Sequence, residues 1–164
     1  MSDTPQSLVE RLEKGGQKAL EFFGDLTPQQ WGLDLYSDGA AWTVFEMFAH
    51  VVEAEGSLAR LVASVAAGGE GVPVDFDKDR YNESKVQRNT ITDPVEMLDL
   101  FARRRAESVA VVAALTPEDL QKSGRHPALG EAEVGEMVKV IAVHVQMHIR
   151  DVQRVLRPAD AGAA

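Results

Sequence analysis

Met137-Val138-Lys139-Val140-Ile141-Ala142-Val143-His144-Val145-Gln146-Met147-His148-Ile149-Arg150-Asp151-Val152-Gln153-Arg154-Val155-Leu156 is the stretch on which the reading of this chain turns. Met137, Ile141 and Val155 share one face at helical spacing, and we place a helix from just after Gly130 to about Leu156, where Pro158 stops it. His144 and His148 stand four residues apart on that same face. Their rings therefore project toward the bundle interior about one turn from each other, a spacing that suits two ligands on one metal ion.

Three further amphipathic segments precede it. The first helix takes Thr4 as N-cap and Pro5 at its first position, then sets Leu8, Leu12, Ala19 and Phe23 on one face, with Gly15-Gly16 as its soft point. Leu26-Thr27-Pro28-Gln29-Gln30-Trp31 reads as a short helical turn, and the polar, glycine-containing stretch up to Trp42 as a loop with no strand. Thr43-Val44-Phe45-Glu46 is a capping box that opens a second long helix, ending near Gly68-Gly69. From Ala67 to Thr92 the chain is too long for a tight turn and reads as a crossover or lid. Asp93-Pro94-Val95-Glu96 starts the third helix, which runs to about Leu115. Leu115-Thr116-Pro117 then echoes Leu26-Thr27-Pro28. The expectation is an all-α four-helix bundle with short extra helical turns in its connections, one domain over residues 1–157, and a disordered tail over 158–164.

Composition narrows the function classes. With 45% hydrophobic and 26% charged residues, the 164-residue chain has the balance of a globular domain rather than a disordered one. A net charge of −9 argues against nucleic acid and against an anionic membrane surface. No apolar run approaches the ~20 residues of a membrane span, and Met1-Ser2-Asp3-Thr4-Pro5 has no signal-peptide character, so the expected location is cytoplasmic. The chain has no cysteine, which leaves His, Asp and Glu as metal ligands and removes a protein thiol as nucleophile.

A histidine pair alone does not decide for a metal, because such pairs also occur on surfaces and as hydrogen-bonded core residues. The third candidate ligand is His50, in the middle of the second helix with Met47, Ala54, Ser57 and Leu61 on its side. Ala54 and Ser57 are small and leave room for an ion and a substrate. Glu53 and Asp151 lie a turn beyond His50 and His148, where each either holds an imidazole N–H, supplies a further metal ligand, serves as a general base, or forms a salt bridge. His126, before Pro127 in a polar loop, reads as structural and stays outside the site. Arg105 interrupts the third helix's apolar face of Leu98, Phe101, Ala102, Val109 and Val112. A buried guanidinium needs an anion, for which Glu53, Asp151 or an anionic substrate group are the candidates.

The chain resembles the DinB/YfiT-like superfamily of metalloenzymes in three stretches: Trp42-Thr43-Val44-Phe45-Glu46 leading to His50, His126-Pro127-Ala128-Leu129-Gly130, and His144-Val145-Gln146-Met147-His148. The crossover segment Asp77-Lys78-Asp79-Arg80-Tyr81-Asn82 is similar to one branch of it. The resemblance implies a metal site on His50, His144 and His148, holding zinc or nickel, and a homodimer. Characterised members include thiol-dependent transferases using mycothiol or bacillithiol, a mycothiol-dependent maleylpyruvate isomerase, and an enzyme that inactivates a DNA-damaging metabolite.

Two other metal motifs fail on identity. A HExxH protease needs glutamate where Val145 stands, and a di-iron bundle needs Glu-x-x-His elements where the preceding residues are Ile141 and Val145. The leading expectation is a metal-dependent enzyme, a thiol-dependent S-transferase or metal-assisted hydrolase acting on a small molecule, with a low-molecular-weight thiol as candidate co-substrate. The competing class is a non-catalytic metal-binding or small-molecule-binding stress-response protein. Phe22, Phe45 and Val52 fall outside the stripe that each helix needs for its own core, which adds to the expectation of a homodimer.

Overall fold

In the computed structural model, which describes residues 2–37 and 39–157, four long helices make the bundle: α1 (Pro5–Gly24), α3 (Val44–Ala66), α5 (Pro94–Ala113) and α6 (Val134–Leu156). Their starts are set by local chemistry. Thr4 and Ser7 bond reciprocally at the head of α1, Thr43 and Glu46 do the same for α3, and the Asp93 carboxylate accepts the Val95 amide ahead of α5. Helix α5 packs against α1 and α3, and α6 against the same pair from the other side. One apolar cluster gathers around Phe23, Phe48, Phe101 and Val152, and another around Leu12, Val62, Met137 and Ile141.

The connections hold more order than expected. The short α2 (Pro28–Trp31) and a 3-10 turn at Asp119–Gln121 are the extra helical turns, but two β-hairpins also appear, and they overturn the expectation of no strand before Trp42. Strand β1 (Asp34–Ser37) pairs antiparallel with β2 (Ala40–Thr43), and β3 (Ser123–His126) with β4 (Gly130–Glu133). Gly39, at φ +79°, supplies the left-handed conformation that the first hairpin's turn requires. Leu35 and Trp42 face each other across that hairpin and are both buried, so packing onto the helices holds a pairing too short to stand alone. Each hairpin ends at the N-cap of a long helix, Thr43 for α3 and Glu133 for α6. The two halves thus share the order long helix, Thr-Pro turn, hairpin, long helix.

The crossover contains α4 (Lys78–Gln87), which packs on α3. Its beginning is pinned to the second hairpin: Gly71 bridges Arg125, the Arg125 amide donates to Glu70 O, and the Val72 amide donates to Arg125 O. Gly71 has to be glycine, because a Cβ there would lie 2.2 Å from the Arg125 carbonyl oxygen.

Arg105 is buried, but its anion is neither Glu53 nor Asp151. Glu55 takes the guanidinium in a two-point pair, Nε to Oε1 at 2.5 Å and Nη2 to Oε2 at 3.1 Å, while Nη1 donates to Leu12 O at 2.7 Å and Ser108 Oγ donates to Glu55 Oε1 at 2.9 Å. The reason lies in helical phase. Glu55 is about 140° around α3 from His50 and so faces α5, whereas Glu53 is only about 60° away. Gly15-Gly16 is no soft point, since α1 is continuous there and a Cβ on Gly16 would come within 2.9 Å of Arg105 Cγ. The missing side chain makes room for the arginine.

Phe22 and Phe45 pack partly buried against the core and Val52 is within it, so all three serve the bundle's own packing, contrary to the expectation that they fall outside it. The expected disordered tail, 158–164, lies outside the described residues. No helix among the described residues is long and apolar enough to cross a membrane.

Candidate metal centre

His50 sits mid-way along α3, and His144 and His148 stand on successive turns of α6. His148 is fully buried, His50 almost so, and His144 is half-buried. The rings meet edge to face, bringing His144 Nε2 to 3.3 Å from His50 Nε2 and 3.1 Å from His148 Nε2. An ion holding imidazoles at 2.0–2.1 Å in tetrahedral directions places their nitrogens about 3.3 Å apart. The three side chains fit that requirement, with their candidate ligand atoms all within 4.8 Å of one another.

Proton counting points the same way. His144 Nε2 lies within hydrogen-bond distance of two other ring nitrogens, and a single proton can serve only one of those contacts. A cation satisfies all three lone pairs together. Burial pushes the His50 imidazole down to about 3, with His148 and Lys78 adding smaller effects of the same sign. Burial also holds His144 well below the ordinary histidine value, assisted by His148 and His50. Both rings are therefore neutral near pH 7, the state that coordination needs.

The first hairpin completes the arrangement. Ser37 Oγ, buried at the end of β1, lies 2.8 Å from His148 Nδ1 and donates to Asp151 Oδ2 at 2.5 Å. Asp151 Oδ2 is itself 3.6 Å from that ring nitrogen, and the other carboxylate oxygen receives Arg154. Because the hydroxyl's proton goes to the carboxylate, Ser37 Oγ is left to accept the His148 Nδ1 proton. That fixes the tautomer in which Nε2 is the unprotonated ring nitrogen. Asp151 thus reaches the histidines through Ser37, a residue that sequence reasoning missed because its strand was read as loop.

Glu53 is placed elsewhere. Its carboxylate pairs with Lys85 of α4 at 3.5 Å and does not line the cavity beside the histidines. That cavity, of about 550 Å³, opens on His50 and His144 and is walled by Ala54, Ser57 and Leu61 of α3, by Val143 and Met147 of α6, and by the crossover. His126 is not among the three converging histidines and holds the turn between β3 and β4, as its structural reading has it, but its ring also lines this cavity.

The family model described as the DinB superfamily matches residues 11–152. The chain belongs to the DinB superfamily. Solved structures agree on its fold. The mycothiol-dependent maleylpyruvate isomerase superposes with a TM-score of 0.73 at 15% identity, over 90% of this chain and 60% of that one, so this chain spans only part of that enzyme's length. YfiT from Bacillus subtilis, described as a probable metal-dependent hydrolase with an unusual four-helix bundle topology, gives 0.69 at 20% identity over 92% of this chain and 85% of its own. The colibactin self-resistance protein ClbS, solved in complex with a dsDNA, gives 0.69 at 14% identity over 94% and 95%. At these identities the likeness to other DinB-like structures is one of fold. No curated protein sequence matches the chain.

Proposed function

We propose that this DinB-superfamily protein is a metal-dependent enzyme acting on a small molecule, with His50, His144 and His148 holding one divalent ion, zinc or nickel. The observation that carries the reading is the convergence of three imidazole nitrogens at the end of a mostly apolar cavity large enough for a small organic molecule. Three neutral ligands leave coordination positions open, which is the arrangement of catalytic rather than structural ions. When bound, the ion supplies Lewis acidity and lowers the pKa of a water or thiol placed on it.

The chain's own residues supply the rest. Ser37 and Asp151 lock His148 in its ligating tautomer, the mostly apolar walls offer a small molecule its contact surface, and Glu53 ties α3 to the crossover through Lys85. Without a cysteine, a thiol reaction here takes its thiol from a co-substrate. The reading therefore covers a thiol-dependent S-transferase and a metal-assisted hydrolase, and the net charge of −9 supports a small-molecule substrate over nucleic acid. The homodimer rests on the resemblance alone and is tested by light scattering, with a mass near 18 kDa against it.

The test is turnover by zinc-loaded and nickel-loaded protein. The panel pairs mycothiol, bacillithiol or glutathione with a small electrophile, beside p-nitrophenyl esters for hydrolysis. Turnover by the loaded protein, absent from His144→Ala, is expected. Stoichiometric metal binding without turnover across the panel would favour a binding protein instead.

A further inference from the structure

His126 has a job in its own turn that fixes its chemistry. Its Nδ1 accepts the backbone amides of Ala128 at 3.0 Å and Leu129 at 3.2 Å, closing the turn between β3 and β4. An acceptor of two amides carries no proton, so in the neutral ring the proton is on Nε2. Burial keeps the ring neutral by lowering its pKa. The Nε2–H is a donor by necessity, it is shut off from solvent, and it has no acceptor among the described residues. A buried donor without an acceptor costs on the order of 1–3 kcal/mol, and native proteins rarely carry one without a use.

The ring's position supplies the use. His126 is 3% exposed and lies on the wall of the cavity that reaches His50 and His144. In a protein with a net charge of −9, the charged side chains on that wall are Arg60 and Lys78, the latter paired at 3.3 Å with the exposed Asp79, and among the described residues no aspartate or glutamate lines the wall itself. Lys78 is near enough to both His50 and His144 to depress their protonation. The remaining wall is largely aliphatic and aromatic, including Leu61, Phe76 and Val143.

We propose that this cavity binds a small amphipathic carboxylate, whose carboxylate accepts the His126 Nε2 proton beside the cationic Lys78 and Arg60 and whose apolar body lies along the α6 wall. The inference rests on the proposed function for the location of the chemistry, but the carboxylate subsite is built from residues that are not the proposed metal ligands. Engaging Nε2 takes a small opening of the wall, and a charged acceptor repays it better than a neutral one.

The pair of octanoate and 1-octanol isolates the subsite, because the two share an apolar tail and differ in the acceptor. Their affinities are measured by calorimetry on zinc-loaded and metal-stripped protein, for wild type, His126→Asn, His126→Gln and Lys78→Met. Asparagine's side-chain oxygen stands near the place of Nδ1 and keeps the turn, whereas glutamine's amide reaches the place of Nε2. We expect octanoate to bind about tenfold or more tightly than octanol, in stripped protein as well as loaded. His126→Asn and Lys78→Met should remove most of that preference and leave octanol unchanged, and His126→Gln should retain more of it than the asparagine. In ¹⁵N-histidine spectra of the wild type, octanoate should shift the His126 Nε2 resonance, a readout that needs no variant to fold. Equal binding of the two probes, or an unmoved His126 resonance at saturation, overturns the proposal. So does octanoate binding that vanishes on stripping and ignores His126→Asn, since the ion alone would then hold the carboxylate. Carboxylate binding through His126 in a protein that takes up no metal would overturn the proposed function and leave this inference standing.

Discussion

Ser37 Oγ lies 2.8 Å from His148 Nδ1, although 111 residues separate the two in the chain. The contact joins the tip of a four-residue strand to the buried turn of α6. Together with Asp151 it orients the imidazole whose other nitrogen faces His144.

Ser37→Ala should therefore weaken zinc affinity by about 10–100-fold without unfolding the bundle, as is typical when a partner of a metal-ligating histidine is lost. Asp151→Asn should cost a similar factor, and the double variant much less than the product, because both act on the same ring. Competition with a chromophoric chelator measures all three. Additive losses would show that the serine and the carboxylate act separately.

Purified protein should take up one divalent ion per chain, and elemental analysis of untagged protein measures it. His144→Ala should abolish the stoichiometric uptake, while His126→Asn should keep it. Binding should also raise the melting temperature with ion concentration, as for any ligand of the native state alone. Retained uptake in His144→Ala would remove that residue from the ligand set.

Acid should destabilise the metal-free protein before its carboxylates titrate. His50 titrates at about 3 in the folded chain and near 6.5 unfolded, and His144 is also depressed. Below 6.5 the unfolded chain thus binds protons that the folded chain refuses. The stability these neutral rings contribute is complete above pH 6.5 and is lost as pH falls toward 3. The slope is about 1.4 kcal/mol per pH unit for each ring. Urea unfolding from pH 7.5 to 4.5 should show this slope, and a His50→Ala, His144→Ala double variant should flatten it.

Glu55→Gln should be among the most destabilising single changes in the chain, by about 3–5 kcal/mol, because it leaves the buried Arg105 guanidinium without its counter-charge. Replacing both partners, Glu55→Leu with Arg105→Met, should recover much of the loss. Denaturant midpoints decide. A single variant as stable as wild type would mean that water or another group neutralises the arginine.

What the chain shows in one dimension depends on how locally each feature is determined. Thr43-Glu46, Thr4-Pro5 and Asp93-Pro94 satisfy backbone groups within four residues, and the helix starts they predict are those observed. The facing of His144 and His148 follows from one helix's period. The hairpins are different, since Asp34–Ser37 and Gly130–Glu133 are too short and too polar to display alternation, and the first is held by packing of Leu35 and Trp42. With that strand unread, Ser37 had no place near the histidines. His126 was hidden by its surroundings, because a histidine before proline in a polar turn looks the same whether or not its far nitrogen faces a cavity. Arg105 announced that it needed an anion, but the choice of Glu55 over Glu53 depended on the rotation of α3 against α5.

Synthesis order gives the separation of these residues a further meaning. His50 and Ser37 emerge from the ribosome some 94 and 111 residues before His144 and His148, respectively. A half-made chain presents a lone imidazole, which competes poorly with cellular chelators for any ion. An ion held by these three histidines would therefore be chosen after the last helix has docked, by a finished cage rather than by a growing polypeptide. The identity of such an ion would then reflect the metals available at release and the geometry of the assembled bundle.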